Sequence, residues 1–215
     1  MESSLCPPAD PDFRLIETLA FRPRQGFVRR DRHLARMARS AAAMGIPFEA
    51  GAAIQTLDTV VGQSPLRCRL TLAVDGTYDV TTGVLADNPP LWRVAVTKMR
   101  LSASDVWLQH KTTQRSVYDT ARASLPDGID EFLFLNERDE LCEGTITNLF
   151  LDMPDSRRLT PKLTCGLLPG ILREELIDNK QVTESVLLLT DLKNAEKVFV
   201  GNSLRGLIRA ELAIL

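Results

Sequence analysis

Nowhere in the 215 residues does an apolar run approach the ~18 residues that would cross a bilayer as a helix, so no membrane span is expected. Histidine is nearly missing: only His33 and His110 occur, far apart. The four cysteines, Cys6, Cys68, Cys142 and Cys165, form no C-x-x-C pair. A metal site is therefore not expected, and the cysteines read as reduced thiols of a cytoplasmic protein. Neither sign of charge is in excess. The net charge of -2 gives no general pull toward nucleic acid or anionic membrane. Internal repeats and low-complexity tracts are absent, which excludes solenoids and disordered linkers. The opening Met1–Pro8 lacks the basic and apolar regions of a signal peptide.

What is present is an ordinary globular composition, 44% hydrophobic and 25% charged, in a chain long enough for one large domain or two small ones. Phe13–Leu19 reads as a strand. From Asp31 to Met44 the residues Leu34, Met37, Ala38, Ala41 and Met44 recur at helical spacing, and Gly45 then Pro47 stop the helix. Leu66–Val74 and Thr77–Val84 read as a hairpin around a two-residue Asp75-Gly76 turn. Ala86–Pro90 reads as a linker, because prolines do not enter a sheet centre. Beyond it, Trp92–Val96, Phe132–Leu135 and Thr147–Leu151 read as strands, and Val186–Leu189 and Val198–Val200 as buried ones. Helices are expected at Thr113–Ser124, from Pro169-Gly170 through Leu176, and at Asp191–Glu196. The expectation is a mixed α/β chain with a small N-terminal domain (1–86), a linker (87–91) and a larger C-terminal domain (92–215).

Several residues carry chemistry. Lys111 lies between a strand and a helix, and imine chemistry needs an amine that can lose its proton, which arginine cannot supply. Taken alone it reads as a solvated surface lysine. Glu143 precedes Gly144 in a strand-like segment and, alone, reads as an acid flanking a turn. Gly166–Arg173 places a tight turn at a helix start, where the N–H groups of Ile171 and Leu172 face an anion. Arg29, Arg30, Arg32, Arg36 and Arg39 crowd eleven residues, which suggests either a charged helix face or a nucleic-acid-binding module. The acidic chain as a whole argues against the module. Ser203 follows a buried strand and can donate a hydroxyl. Arg205 has the guanidinium fork that fits a carboxylate.

Five segments stand in a telling order: His33-Leu34-Ala35-Arg36, Lys111-Thr112-Thr113, Glu143-Gly144-Thr145 with Asn148-Leu149-Phe150, Gly166–Ile171, and Asn202-Ser203-Leu204-Arg205-Gly206. Together they resemble the class IV (fold-type IV) pyridoxal phosphate enzymes, nearest to the aminodeoxychorismate lyase branch, over residues 13 to 210. The resemblance implies two domains with pyridoxal phosphate in the cleft between them, and a homodimer. It makes Lys111 the Schiff-base lysine and Glu143 the partner of the pyridine nitrogen. Arg36, the backbone of Ile171 and Leu172, and Ser203 become phosphate contacts. Arg205 becomes a substrate carboxylate clamp, and Glu17, in Leu15–Leu19, lines the substrate side. The implied reaction is release of pyruvate and 4-aminobenzoate, a folate precursor, from 4-amino-4-deoxychorismate. The alternative is an aminotransferase acting on branched-chain or D-amino acids.

The chain departs from relatives at three places. Branched-chain aminotransferases carry a tyrosine five residues after the lysine, where this chain has Ser116, leaving Tyr118 as a weak substitute. Some relatives have a threonine where Leu172 stands. Relatives usually carry more residues before Leu15–Leu19.

Overall fold

The structure is a computed structural model that describes residues 5–7 and 10–213. Most of the opening segment, where no signal peptide was expected, lies outside the described residues. The chain forms two compact units. The first comprises the residues up to Asp87 together with His110–Gln114, and the second comprises Asn88–Gln109 and the residues from Arg115 onward.

In the first unit the elements run β1 (Arg14–Arg22), β2 (Gly26–Phe27), α1 (Arg30–Met44), α2 (Ala50–Asp58), β3 (Leu66–Ala73) and β4 (Tyr78–Val84). The strands make an antiparallel sheet in the order β2-β1-β3-β4. Leu15, Leu19, Leu70 and Leu72 of the sheet, Met37 of α1 and Leu57 of α2 are all buried. Each such side chain contributes roughly 1.5–3 kcal/mol. The expected helix end is found at Gly45, which sits in the left-handed region at φ 65. Helix α2 had no counterpart in the sequence reading.

The hairpin turn differs from expectation. The Gly76 N–H donates to the Ala73 carbonyl and the Ala73 N–H to the Thr77 carbonyl. The loop therefore holds three residues, Val74, Asp75 and Gly76, and Gly76 at φ 88 closes it.

The sequence boundary placed residues 92–215 in one domain, but His110–Gln114 groups with the first unit. There Thr112 bridges Leu15, the Ile16 N–H donates to the Lys111 carbonyl at 2.8 Å, and the Thr113 N–H donates to the Arg14 carbonyl at 2.9 Å. This pairing also delays the following helix, expected from Thr113, to Ser116.

The second unit contains β5 (Trp92–Leu101), α3 (Ser116–Ala123), β6 (Glu131–Asn136), β7 (Leu141–Gly144), β8 (Asn148–Asp152) and β9 (Arg158–Pro161). It continues with α4 (Ile171–Asp178), β10 (Thr183–Ser185), α5 (Leu189–Asn194), β11 (Lys197–Asn202) and β12 (Gly206–Leu212). Its eight strands follow the order β10-β9-β8-β11-β12-β5-β6-β7, and β7 also pairs with β8, so six of them close on themselves. Leu133, Leu135, Leu149, Leu151, Val198 and Val200 are buried in this unit.

Val186–Leu189 is not a buried strand. Val186 and Leu188 are each 44% exposed, Leu187 is buried in the core, and Leu189, partly buried against it, begins α5. An apolar run tells how many side chains seek burial, not which ones a short turn can point inward.

Candidate active site

In the first unit, α1 carries a polar stripe inside its apolar one. His33, Arg36 and Ser40 recur at spacings of three and four and are buried. Glu17 of β1, only 1% exposed, accepts from Arg36 Nε at 2.8 Å and Arg36 Nη2 at 2.6 Å, and lies 2.6 Å from His33 Nδ1. Burial pushes the Glu17 carboxyl up, but Arg36 and His33 outweigh burial and hold it at about 2. Arg36 is thus fixed by a bidentate pair, and the Glu17 carboxylate is turned onto α1. Ser40 Oγ lies 2.9 Å from His110 Nδ1, beside Lys111. Arg36 is buried while Arg29, Arg30, Arg32 and Arg39 keep some exposure, so Arg36 does not share an exposed basic face with them.

In the second unit, Glu143 is the next-to-last residue of β7 and is 5% exposed. Its Oε1 accepts from the Tyr118 hydroxyl at 2.7 Å and the Leu168 N–H at 3.0 Å, and its Oε2 from Asn148 Nδ2 at 3.3 Å. Burial and the Glu143 charge push the Tyr118 hydroxyl well above the tyrosine range, so it stays a donor. Tyr118 is therefore a support for Glu143, a role its sequence position did not suggest.

Asn148 is the hub of this region. It opposes Glu143 across β7–β8 and Gly201 across β8–β11. Its side chain also donates to the Leu168 carbonyl at 3.1 Å. A Cβ on Gly170 would stand 1.8 Å from Asn148 Oδ1, so only glycine fits before α4. A Cβ on Gly201 would stand 3.1 Å from a Leu172 methyl, which places the end of β11 against the start of α4. Glu143, the first turn of α4 and the Ser203 turn are thereby brought together. Lys111 and Arg36 lie in the first unit.

The turn after β11 is held from several sides. Asn202 Nδ2 donates to the Ile146 carbonyl at 3.1 Å, and Asn202 Oδ1 accepts from the Arg205 N–H at 2.9 Å. Ser203 is buried within it. Arg205 Nη1 donates to Asn88 Oδ1 at 3.0 Å, and its guanidinium lies 5.6 Å over the Trp92 ring. In this structure Arg205 clamps the turn to the segment entering β5.

Cys142 and Cys165, beside these segments, are buried free thiols. Burial pushes Cys142 far up and Cys165 to about 11, so both stay protonated and unreactive.

These groups suit pyridoxal phosphate chemically. A carboxylate with donors already on both oxygens, as Glu143 is, is the kind of group that would accept a hydrogen bond from a protonated ring nitrogen. The backbone N–H groups opening α4 and the Ser203 hydroxyl donate to an oxyanion. Among the described residues no cluster of metal-binding side chains occurs, and no helix is long and apolar enough to cross a membrane.

Comparison with known proteins agrees. The profile described as Amino-transferase class IV matches residues 14–212. The chain is 29% identical over 154 residues to the aminodeoxychorismate lyase of Saccharomyces cerevisiae, covering 62% of this chain and 41% of that one. It is 31% identical over 103 residues to a Thermotoga maritima protein provisionally named a branched-chain-amino-acid aminotransferase, covering 46% of this chain and 37% of that one. The matched stretches thus span less than half of either relative. A solved structure from Mesorhizobium loti, provisionally named an amino-acid aminotransferase, superposes with a TM-score of 0.90 at 41% identity, covering 94% of this chain and all of that one. The fold is that of the fold-type IV enzymes, and this chain belongs to the Amino-transferase class IV family, whose cofactor is pyridoxal phosphate.

Proposed function

We propose that this chain is a 4-amino-4-deoxychorismate lyase, releasing pyruvate and 4-aminobenzoate. One observation carries the choice within the family. Ser116 stands where branched-chain aminotransferases have a tyrosine, and both tyrosines of the chain are committed elsewhere. Tyr118 donates to Glu143, and the Tyr78 hydroxyl accepts from the Glu49 N–H at 3.1 Å. The Asn202–Gly206 segment, similar to lyase-like members, supports the same reading.

Bound pyridoxal phosphate supplies an electron-poor ring that stabilises negative charge at the substrate's amine-bearing carbon. Lys111 Nζ would tether the cofactor, and its free amine would serve as the base that takes the proton from that carbon. Glu143 would hold the proton on the ring nitrogen. The first-turn N–H groups of Ile171 and Leu172 and the Ser203 hydroxyl would hold the phosphate, and the family pattern adds Arg36 to them. A proton returns to the departing enolpyruvyl group, which leaves as pyruvate, and aromatisation of the remaining ring drives the reaction. By the same family pattern we infer a homodimer in a cytoplasmic setting.

A second reading, amino-acid aminotransferase, is favoured by the names of the Thermotoga and Mesorhizobium relatives. Turnover separates the two. The lyase gives sustained release of pyruvate and 4-aminobenzoate from 4-amino-4-deoxychorismate with no keto acid added. If that substrate is inert while an amino acid and a keto acid exchange their amino group, the aminotransferase takes its place.

A further inference from the structure

Glu131 opens β6 and is wholly buried, yet the chemistry above gives it nothing to do. Its carboxylate is surrounded by one short segment of chain. Oε1 accepts from the Thr145 N–H at 2.9 Å and from the Thr145 hydroxyl. Oε2 accepts from the Ile146 N–H at 3.2 Å and the Thr147 hydroxyl at 3.0 Å. Arg122 Nη1 stands 3.7 Å from Oε1. A Cβ on Gly144 would lie 2.9 Å from the Glu131 carboxyl carbon and 2.6 Å from Thr147 Oγ1. The backbone therefore passes the carboxylate at a distance that only glycine permits.

The ends of this segment are Glu143 and Asn148, whose side chains are hydrogen-bonded to each other. Its middle supports the phosphate side. The Ile146 carbonyl holds Asn202, and Asn202 holds the turn containing Ser203. Helix α3 grips the same segment from one face. Arg115 Nη2 donates to the Thr145 carbonyl at 2.9 Å, Tyr118 to Glu143, and Arg122 Nη1 to Thr145 Oγ1 at 3.1 Å.

We propose that Glu131 is a positioning residue: by organising residues 144–147 around its carboxylate, it sets the Glu143 carboxylate and the Ser203 turn in a fixed relation to one another. The inference rests on the roles given above to Glu143 and Ser203. A buried carboxylate is a costly way to fill space, since an apolar side chain would do so without desolvating a charge. Burial pushes the Glu131 carboxyl up against the opposing effect of its Thr145 and Thr147 donors and Arg122. What the carboxylate provides, and an apolar group cannot, is a set of directed acceptors that dictate where three successive residues lie.

The test uses the purified protein and pyridoxal phosphate itself as probe. Two quantities are read in wild type, Glu131→Gln and Glu143→Gln: the cofactor's dissociation constant, and the pH midpoint of its visible absorbance band. In Glu131→Gln an amide N–H₂ replaces one acceptor, so the loop cannot close on it. Losing one well-placed hydrogen bond on the phosphate side weakens binding by about tenfold. The expected result is that loss together with a displaced pH midpoint. A lowered melting temperature with wild-type affinity and midpoint would mean a merely structural role and overturn the inference. Because Glu131→Gln also threatens folding, Thr147→Val and Asn202→Ala give the same readout with smaller damage. Each should weaken the cofactor several-fold, and wild-type affinity in both would overturn the inference. If Glu143→Gln displaces the midpoint while Glu131→Gln leaves both quantities unchanged, the inference alone fails. If neither variant moves it, the role of Glu143 fails and the inference falls with it.

Discussion

Replacing Glu17 by glutamine keeps the side chain's shape and removes its charge from the buried group it forms with Arg36 and His33. Two estimates of the cost agree. Breaking a buried pair by neutralising one partner costs ~3–5 kcal/mol. Independently, Arg36 and His33 hold the Glu17 carboxyl at about 2 against an ordinary 4.5. At about 1.4 kcal/mol per pH unit, that difference is roughly 3 kcal/mol of folding stability. A carboxyl held low contributes this stability above its unfolded value, and the contribution is lost as pH falls from 4.5 toward about 2. For a chain of this length ~3 kcal/mol corresponds to roughly 6–12 °C in Tm. Thermal unfolding of cofactor-free wild type and Glu17→Gln, followed by circular dichroism across this pH range, is the assay. At neutral pH the variant should melt lower by that amount, and the gap should shrink as the pH is lowered through the window. A variant that melts within about 2 °C of wild type at neutral pH, or a gap that stays constant into acid, would refute the reasoning.

Lys111→Ala should abolish turnover and the visible band of the bound cofactor, and borohydride reduction of wild type should label Lys111; a label on Lys98 or Lys162 would sink the assignment. If Glu143 holds the ring proton, Glu143→Gln removes the charge that does so; ~3 kcal/mol on the barrier is a rate loss of about a hundredfold, and unchanged turnover at saturating cofactor would count against the role. Gly170→Ala drives a methyl into Asn148 Oδ1, so cofactor affinity should drop measurably, and wild-type affinity in a titration would show that α4 can shift without consequence. Arg205→Ala distinguishes two uses of that residue: a raised KM with unchanged cofactor affinity marks a substrate clamp, whereas weakened cofactor binding marks the brace to Asn88 and Trp92.

The helix from Arg30 to Met44 was legible because its apolar residues recur with a helical period and Gly45 ends them. The segment from Glu143 to Phe150 was legible because the chemistry and the glycine stand together in the chain. The polar stripe of His33, Arg36 and Ser40 was not. Its partners Glu17 and His110 are remote in sequence, and a search for apolar periodicity passes over buried polar groups. Glu131 was hidden for the same reason, since its four donors lie beyond an intervening hairpin. From the sequence, Tyr118 is only a weak substitute for the aminotransferase tyrosine; the geometry of α3 shows that its hydroxyl serves Glu143.

The return of His110–Gln114 to the first unit bears on how the chain is made. During synthesis, β1 through β4 emerge long before the segment that hydrogen-bonds to Arg14 and Ile16. The start of β1, on the edge whose far end pairs with β2, therefore stays unpaired while the entire first strand of the second unit is translated. A protein cut after Asp87 would be missing not a tail but an interior piece of its own unit, and Lys111 with it. Two fragments divided at that point could restore the first unit only by reassociating, with the later fragment laying its Lys111 segment back along β1.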